Sequence, residues 1–187
     1  LLIYGIKLLV QRRKFKKDIL LKILSYCDEQ VSIGEDLLTT FAVMSLVKTL
    51  VVLGDFYPYH YRETNVSMIR SFSEKKYEKV ESLKVAMLKA MELYDYDFLE
   101  HIHGDYIALM LEQIELEILY STKKLKEIRK SIQKRVESTS FQESLKYINK
   151  KRFSFKWRVY LFLIRHNLFT LMIFIRKFKK VKKSHEK

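Results

Sequence analysis

The sequence predicts a mostly α-helical protein with a small β portion. Its 187 residues include only four glycines and one proline, so few positions favour a break in a helix. Long stretches place apolar residues every three or four positions, which is the period of an amphipathic helix. One short run alone, Leu50 to Leu53, has the β-branched character of a strand.

Residues 1–70 contain the mixed α and β part of the pattern. A helix is predicted from Glu35 to Val47, because apolar side chains recur there at helical spacing. The strand at Leu50–Leu53 follows, and Gly54-Asp55 supplies the chemistry of a turn. Beyond the turn, Pro58 favours an extended edge or loop segment over a central strand.

Residues 71–150 are predicted to form a helical hairpin or bundle. Two apolar stripes run through them, and Gly104 between the stripes is interpreted as a break, so an antiparallel helix pair is expected. The second stripe has a spacing near 3.5 residues, which would suit one helix packed lengthwise on a partner. The first stripe comprises Tyr77, Val80, Leu83, Met87, Met91 and Tyr94, and the second comprises Ile107, Leu111, Ile114, Ile118, Leu125, Ile128 and Ile132.

Residues 151–187 form a basic amphipathic tail. The net charge of the chain is +14, and this tail alone has twelve Lys/Arg against one Glu. Val159 to Ile175 is apolar, but Arg165, His166 and Asn167 interrupt it, so an interfacial helix fits better than a spanning one. Its aromatic side chains are expected in the lipid headgroup boundary: Phe155, Trp157, Tyr160, Phe162, Phe169, Phe174 and Phe178.

Two other interpretations of the tail remain open. Its apolar face could pack on the body of the protein as ordinary core. Cations interleaved with aromatic residues also suit single-stranded nucleic acid. No recognised nucleic-acid motif is present, however, and the apolar content is high for a surface that follows phosphates, so no nucleic acid is expected as a partner.

Other features of composition limit the class of protein. Cys27 is the single cysteine, so the sequence offers neither an intrachain disulfide nor enough thiols for a structural zinc site. This fits a reducing compartment, and the first residues lack the pattern of a signal peptide. The chain begins within an apolar run and without Met, which is interpreted as the start of a fragment.

The chemistry-bearing run is Ser32 to Leu38, which reads Ser-Ile-Gly-Glu-Asp-Leu-Leu. Glu35 and Asp36 fall in the first turn of the predicted helix, where the macrodipole and free backbone N–H groups favour carboxylates for structural reasons alone. Downstream of the strand stands Tyr59-His60-Tyr61-Arg62, followed by Asn65, Ser67 and Met68.

In residue type, order and spacing, this combination resembles the family-two glycosyltransferases of bacterial cell-surface polysaccharide synthesis. The resemblance implies that residues 1–70 are the carboxyl-terminal part of a catalytic domain of the GT-A α/β fold. It implies that Asp36 is the base of an inverting transfer and that Glu35 helps to orient the acceptor. Tyr59, His60, Tyr61 and Arg62 would border the substrate, with His60 standing where the family commonly has tyrosine.

The resemblance also implies partners. These are a nucleotide-sugar donor, a saccharide or lipid-linked acceptor, and an anionic membrane at its cytoplasmic face. A divalent metal, Mn²⁺ or Mg²⁺, is expected in the full-length enzyme, with its main ligands in a nucleotide-binding half outside this chain. Activity would therefore need that half. The alternative function is a non-catalytic helical module that binds a membrane surface or a partner protein through its tail.

Two further groups of residues have side chains that could bind a metal, but a structural role is predicted for each. Asp95-Tyr96-Asp97 has the letters of the family's metal-binding pair, yet it follows the catalytic motif instead of preceding it, so a solvated turn is predicted. His101 and His103 lie two apart and cannot face each other on a helix. They are predicted to be surface histidines at a helix junction.

Overall fold

The computed structural model describes Leu21, residues 33–46 and residues 71–185, with side-chain surroundings as far as residue 177. These residues form seven α-helices and two short 3₁₀ turns, and the described ranges contain no strand. The mostly helical class is therefore confirmed. The predicted strand at Leu50–Leu53 lies outside the described residues and stays a prediction.

The helices follow one another with short connections. Helix α1 is Glu35–Met44 and α2 is Lys75–Ala90, which continues into the 3₁₀ turn Met91–Leu93. Helix α3 is Leu99–Tyr120, the longest of the seven. The remaining helices are α4 (Leu125–Val136), α5 (Thr139–Tyr147), α6 (Phe155–Arg165) and α7 (Phe169–His185).

Helix α3 is the centre of the fold and contacts α2, α4, α5, α6 and α7. Its buried side chains form a wide face instead of a narrow stripe, and Asp105, Ala108 and Glu112 on the remaining side are half-buried. A helix with so wide a buried face belongs in a core. Helix α2 runs antiparallel to it, since the Tyr77 end of α2 meets Glu117 and the Ala90 end meets Ile102.

The buried side chains form two clusters that share α2 and α3. The larger cluster fills the space between α2 and the four helices α4 to α7 around α3. The smaller one joins α1 to the carboxyl-terminal half of α2 and the start of α3. It contains Leu37, Leu38, Phe41, Leu83, Ala86, Met87, Ala90 and Ile102. Burial of an aliphatic or aromatic side chain is worth about 1.5–3 kcal/mol, so this smaller cluster is what holds α1 on the body.

Two predictions about the middle segment are wrong. Gly104 does not break a helix, because α3 continues through it from Leu99 to Tyr120. The second apolar stripe is not one helix either, since the chain turns between Tyr120 and Leu125 and α4 begins there. Ile128 and Ile132 are buried on α4, whereas Leu125 is exposed. The predicted antiparallel pair exists as α2 and α3, with the other five described helices packed around it.

The polar residues Arg165, His166 and Asn167, which interrupt the apolar run of the tail, lie at the end of α6. Asn167 adopts a left-handed conformation with φ 54°, and the backbone N–H groups of Leu168 and Asn167 donate back to the carbonyls of Leu163 and Ile164. This is the Schellman arrangement that terminates a helix. It divides the apolar run from Val159 to Ile175 between α6 and α7.

Candidate functional site

The sequence motif Gly34-Glu35-Asp36 forms the start of α1. Gly34 has φ +76°, a left-handed conformation that L side chains rarely adopt, and it precedes a helix whose first turn contains both acids. Glu35 is exposed, whereas Asp36 is half-buried. The predicted start of this helix is confirmed at Glu35, and the helix ends at Met44, before the predicted end at Val47.

The side chain of Asp36 has a fixed direction. Its Oδ1 accepts a hydrogen bond of 2.9 Å from the backbone N–H of Leu37. Its backbone carbonyl accepts one of 2.7 Å from the hydroxyl of Thr40. The unpaired N–H groups and the macrodipole of the first turn stabilise a carboxylate at this place. The arrangement can therefore present an oriented carboxylate that accepts a hydrogen bond.

The position of α1 is set by contacts on its opposite face. Leu37, Leu38 and Phe41 are buried against α2 and α3. The Tyr94 hydroxyl donates a hydrogen bond to the Phe41 carbonyl, and the two rings lie 4.8 Å apart. Burial raises the pKa of Tyr94 to about 12. This hydroxyl therefore stays protonated and remains a donor at physiological pH.

Gly34 is required at this position for two reasons. Its φ is unfavourable for any L residue, and a Cβ there would lie 2.6 Å from Cδ2 of the buried Leu83. We expect Gly34→Ala to lower the free energy of unfolding by about 2 kcal/mol, measured by urea denaturation.

The matched control is Gly104→Ala. Gly104 is helical, and an added Cβ meets nothing within 4 Å, so this change should stabilise the protein by about 0.5–1 kcal/mol. Equal effects of the two substitutions would contradict the packing described for Gly34.

A small cavity lies between α1, α2 and α3, near the base of this site. Its volume is about 10 Å³, the room that one water molecule needs. Leu37, Leu83 and Met87 line it, together with the half-buried carboxyl of Asp105. It is far too small for a sugar ring, so it is not a substrate pocket.

Asp105 contributes a pH dependence to the stability of the fold. Burial raises its pKa from 3.8 to about 6. The folded protein then binds this proton more tightly than the unfolded chain. The resulting gain in the free energy of unfolding is fully present below pH 3.8 and is lost as the pH rises through 6. Above that range the ionised carboxylate weakens the fold.

We expect Asp105→Asn to raise the free energy of unfolding by about 1–2 kcal/mol at about pH 8, after allowance for partial exposure to water. At about pH 4 the difference from the parent should be small. Urea denaturation at the two pH values measures this. Asp95→Asn, at an exposed turn residue, is the control and should change stability at neither pH. An Asp105→Asn effect of the same size at both pH values would contradict the assignment.

The second half of the resemblance lies outside the described residues. This applies to Tyr59, His60, Tyr61 and Arg62, and to Asn65, Ser67 and Met68. The structure therefore describes Asp36 and Glu35 together at the start of α1, but not their relation to the tyrosine–arginine segment.

The acidic turn before α3, which has the letters of a metal-binding pair, has a structural role. Asp95, Tyr96 and Asp97 form an exposed turn, as predicted, and Asp97 Oδ1 accepts 2.7 Å from the Leu99 N–H at the start of α3. No cluster of three or more His, Cys, Asp or Glu side chains suited to a metal occurs within the described ranges.

The two histidines lie at a helix junction, in the first turns of α3, but they differ in surroundings. His101 is half-exposed, beside the Arg152 guanidinium. His103 is buried, contrary to the prediction of a surface residue: its Nδ1 lies 2.9 Å from the Ser144 hydroxyl, and its ring stacks on Tyr147. Burial, and then the nearby charge of Lys84, lowers the pKa of His103 and so favours its neutral form.

Two buried acids of α3 were missed in the sequence because they lie within an apolar stripe. Glu117 is fully buried and accepts hydrogen bonds from Tyr77 (2.8 Å), Lys123 (2.9 Å) and Ser131 (3.1 Å). Burial, and then the charge of Glu117, raises the pKa of Tyr77. These contacts connect α3 with α2, with α4 and with the turn before α4.

Glu115 is the second buried acid, and it connects the tail to the body. Its two carboxylate oxygens pair with Lys156 on α6 and Arg176 on α7. Burial, and then the charge of Glu115, raises the pKa of the neighbouring Tyr160. These ion pairs join both helices of the tail to α3.

Comparisons with protein-family models, with curated proteins and with solved structures found no match for this chain. None of the helices in the described parts of the chain is both long enough and apolar enough to cross a bilayer.

Proposed function

We propose that this chain is part of an inverting glycosyltransferase, the acceptor-side and carboxyl-terminal portion of a GT-A enzyme of cell-surface polysaccharide synthesis. The proposal starts from the resemblance of residues 32–68 to family-two glycosyltransferases. The structural observation that supports it is the Asp36 carboxylate, which a backbone N–H holds in one direction at the start of a helix seated on the core.

In the proposed reaction Asp36 takes the proton of an acceptor hydroxyl. The hydroxyl oxygen attacks the anomeric carbon of the donor, and the bond from that carbon to the nucleoside diphosphate breaks in the same displacement. The leaving diphosphate keeps the electron pair, and the configuration at the anomeric carbon inverts. Glu35 would orient the acceptor, while Tyr59, His60, Tyr61 and Arg62 would border the substrate, with Arg62 suited to diphosphate oxygens.

The proposal requires parts beyond the described residues. A bound Mn²⁺ or Mg²⁺ would neutralise charge on the leaving diphosphate. By the resemblance, its main ligands are assigned to a nucleotide-binding half in a longer chain. The acceptor is a saccharide or a lipid-linked sugar, since the two share the attacking hydroxyl.

The test is sugar transfer by a longer chain in which a nucleotide-binding half precedes these residues. Labelled nucleotide sugars are offered with saccharide and lipid-linked acceptors, and release of nucleoside diphosphate is followed with and without Mn²⁺ or Mg²⁺. We expect metal-dependent transfer that inverts the anomeric configuration. A parent chain without such a half, or one that turns over no nucleotide sugar, would overturn the proposal.

A second candidate is a non-catalytic helical module that binds a membrane surface or a partner protein through its tail. The observation that favours it is the exposed aromatic face of α6 and α7. This candidate leaves residues 32–68 without a role. It predicts that no sugar chemistry appears in any longer chain, so the transfer assay separates the two candidates.

A further inference from the structure

The tail has two faces with different surroundings. On the inner face of α6, Tyr160, Leu161, Leu163 and Ile164 are buried, and on α7 Phe169, Met172 and Ile173 are buried. The sequence-based expectation that Tyr160 and Phe169 lie in a lipid headgroup boundary is therefore wrong, because both belong to the core. Trp157 also packs partly against this core.

The outer face of α6 is a row in which aromatic and cationic side chains alternate. Phe155, Arg158, Phe162 and Arg165 follow one another at intervals of three, four and three residues, so they lie on one side of the helix. Phe155 is 75% exposed and Phe162 is 57% exposed. The Arg158 guanidinium lies over the Phe155 ring.

Helix α7 and the turn before it also have exposed apolar side chains. Phe174 is 57% exposed, Leu171 47% and Leu168 41%. Together with Phe155 and Phe162 they are five large apolar side chains exposed on one helical pair. Scattered apolar residues are normal on a protein surface, but a concentration of this kind marks an interaction site. We call these five residues and the two arginines the outer tail face.

The inner contacts hold the outer tail face away from the body. Lys156 and Arg176 both pair with the buried Glu115 of α3. These two cations are therefore used by the fold, whereas Arg158 and Arg165 remain exposed between the phenylalanines.

The positive charge of the tail favours an anionic partner for this face. Residues 151–177 contain seven Lys/Arg and no Asp or Glu, and residues 151–187 contribute twelve positive charges against one negative. A second copy of the chain would bring an equally positive tail, which repels. An anionic bilayer offers phosphates in a plane above an apolar layer, which matches arginines and phenylalanines that alternate on one face.

We propose that the outer tail face binds the surface of an anionic bilayer. Phe155, Phe162 and Phe174 enter the boundary between headgroups and acyl chains, and Arg158 and Arg165 contact lipid phosphates. Helices α6 and α7 lie along the surface and do not cross it. This inference holds for an enzyme and for a non-catalytic module alike, so its failure leaves the transferase proposal standing.

The test is co-sedimentation of the 187-residue chain with vesicles. One set is phosphatidylcholine, and the other is equal parts of phosphatidylcholine and phosphatidylglycerol. We expect binding to the anionic vesicles that weakens as salt is raised, and much weaker binding to the neutral ones.

Two double variants separate the apolar and the charged contributions. Phe155→Ala with Phe162→Ala should weaken binding to anionic vesicles by about 100-fold, because two large apolar side chains no longer enter the boundary. Arg158→Gln with Arg165→Gln should weaken it by about 30-fold and reduce its salt dependence. The control is Val85→Ala with Tyr96→Ala, which removes two exposed side chains elsewhere and should leave binding unchanged. Unchanged helical circular dichroism shows that each variant is folded.

Several results would overturn the proposal. One is a parent chain that binds neither vesicle, and another is a phenylalanine variant that binds as well as the control. If sedimentation shows that the parent self-associates and that the phenylalanine variant is monomeric, without vesicle binding by either, the face belongs to a second copy. If these phenylalanines are needed for a single-stranded oligonucleotide but not for vesicles, the face belongs to nucleic acid.

Discussion

Replacing Glu117 by alanine is expected to lower the free energy of unfolding by about 3–5 kcal/mol. Glu117 is fully buried. It accepts hydrogen bonds from Tyr77 and Ser131, and it forms an ion pair with Lys123. Its loss leaves the buried hydroxyl of Tyr77 without an acceptor and opens a cavity between α2, α3 and α4. Because small domains are stable by only about 5–15 kcal/mol, this change removes a large fraction of the total stability.

A double-mutant cycle tests whether the Tyr77–Glu117 contact is responsible. Glu117→Leu alone should be strongly destabilising, whereas Glu117→Leu combined with Tyr77→Phe removes acceptor and donor together and should recover part of the loss. We expect a coupling of at least about 1 kcal/mol from urea denaturation of the four proteins. Additive losses would show that the two side chains act independently.

Replacing Asp36 by asparagine is expected to reduce sugar transfer by about 100-fold to 10,000-fold in a chain that also has the nucleotide-binding half. Asparagine keeps the shape of aspartate and can still accept the hydrogen bond from the Leu37 N–H, but it cannot take the proton of the attacking hydroxyl. Donor affinity should change little, because Asp36 is assigned to the acceptor hydroxyl and not to the nucleotide. Steady-state rates and calorimetric donor binding measure the two effects separately.

Asp97→Asn is the matched control for this substitution. Asp97 also stands at the start of a helix and accepts a hydrogen bond from a backbone N–H, that of Leu99. Loss of this carboxylate should change stability by about 1 kcal/mol or less and leave the transfer rate nearly unchanged. Glu35→Gln should have an intermediate effect, because Glu35 is assigned to acceptor orientation.

The sequence predicts the fold best where the apolar period is strong and a single face is buried. The first apolar stripe was predicted from its spacing. Its four members on α2, Tyr77, Val80, Leu83 and Met87, are all buried, whereas Met91 and Tyr94 beyond the helix are half-buried. The start of α1 at Glu35 was also predictable, because two acids after a glycine are typical of a helix N-terminus.

The prediction at Gly104 was wrong because packing outweighs propensity. A glycine inside a helix costs about 1 kcal/mol relative to alanine, which is little against the burial of the wide apolar face of α3. The turn between Tyr120 and Leu125 was missed for a different reason. The stripe keeps its period across the turn, so spacing alone cannot separate one long helix from two.

The buried charges could not be predicted from local sequence. Glu115 and Glu117 read as polar interruptions of an apolar stripe, and their partners are distant in sequence: Lys156 and Arg176 for the first, and Tyr77 for the second. Burial of an acid depends on such a partner. The aromatic residues of the tail could likewise be identified from the sequence, but their division between an inner and an outer face could not, because the inner face packs on residues distant in sequence.

For the candidate site, the sequence predicted that Glu35 and Asp36 open a helix, and the structure adds that Asp36 is half-buried and held by the Leu37 N–H. The seat of this helix on Leu83 and Met87 could not be predicted, because those residues lie far along the chain. The expected approach of Tyr61 and Arg62 to Asp36 stays a prediction.

The most direct measurement is single-turnover transfer by the longer chain with donor and acceptor both saturating, because it isolates the chemical step in which Asp36 is assigned the proton. We predict that Asp36→Asn is at least about 100-fold slower than Asp97→Asn, with equal donor occupancy. If the two variants transfer sugar at the same rate, the carboxylate at the start of α1 only stabilises its helix.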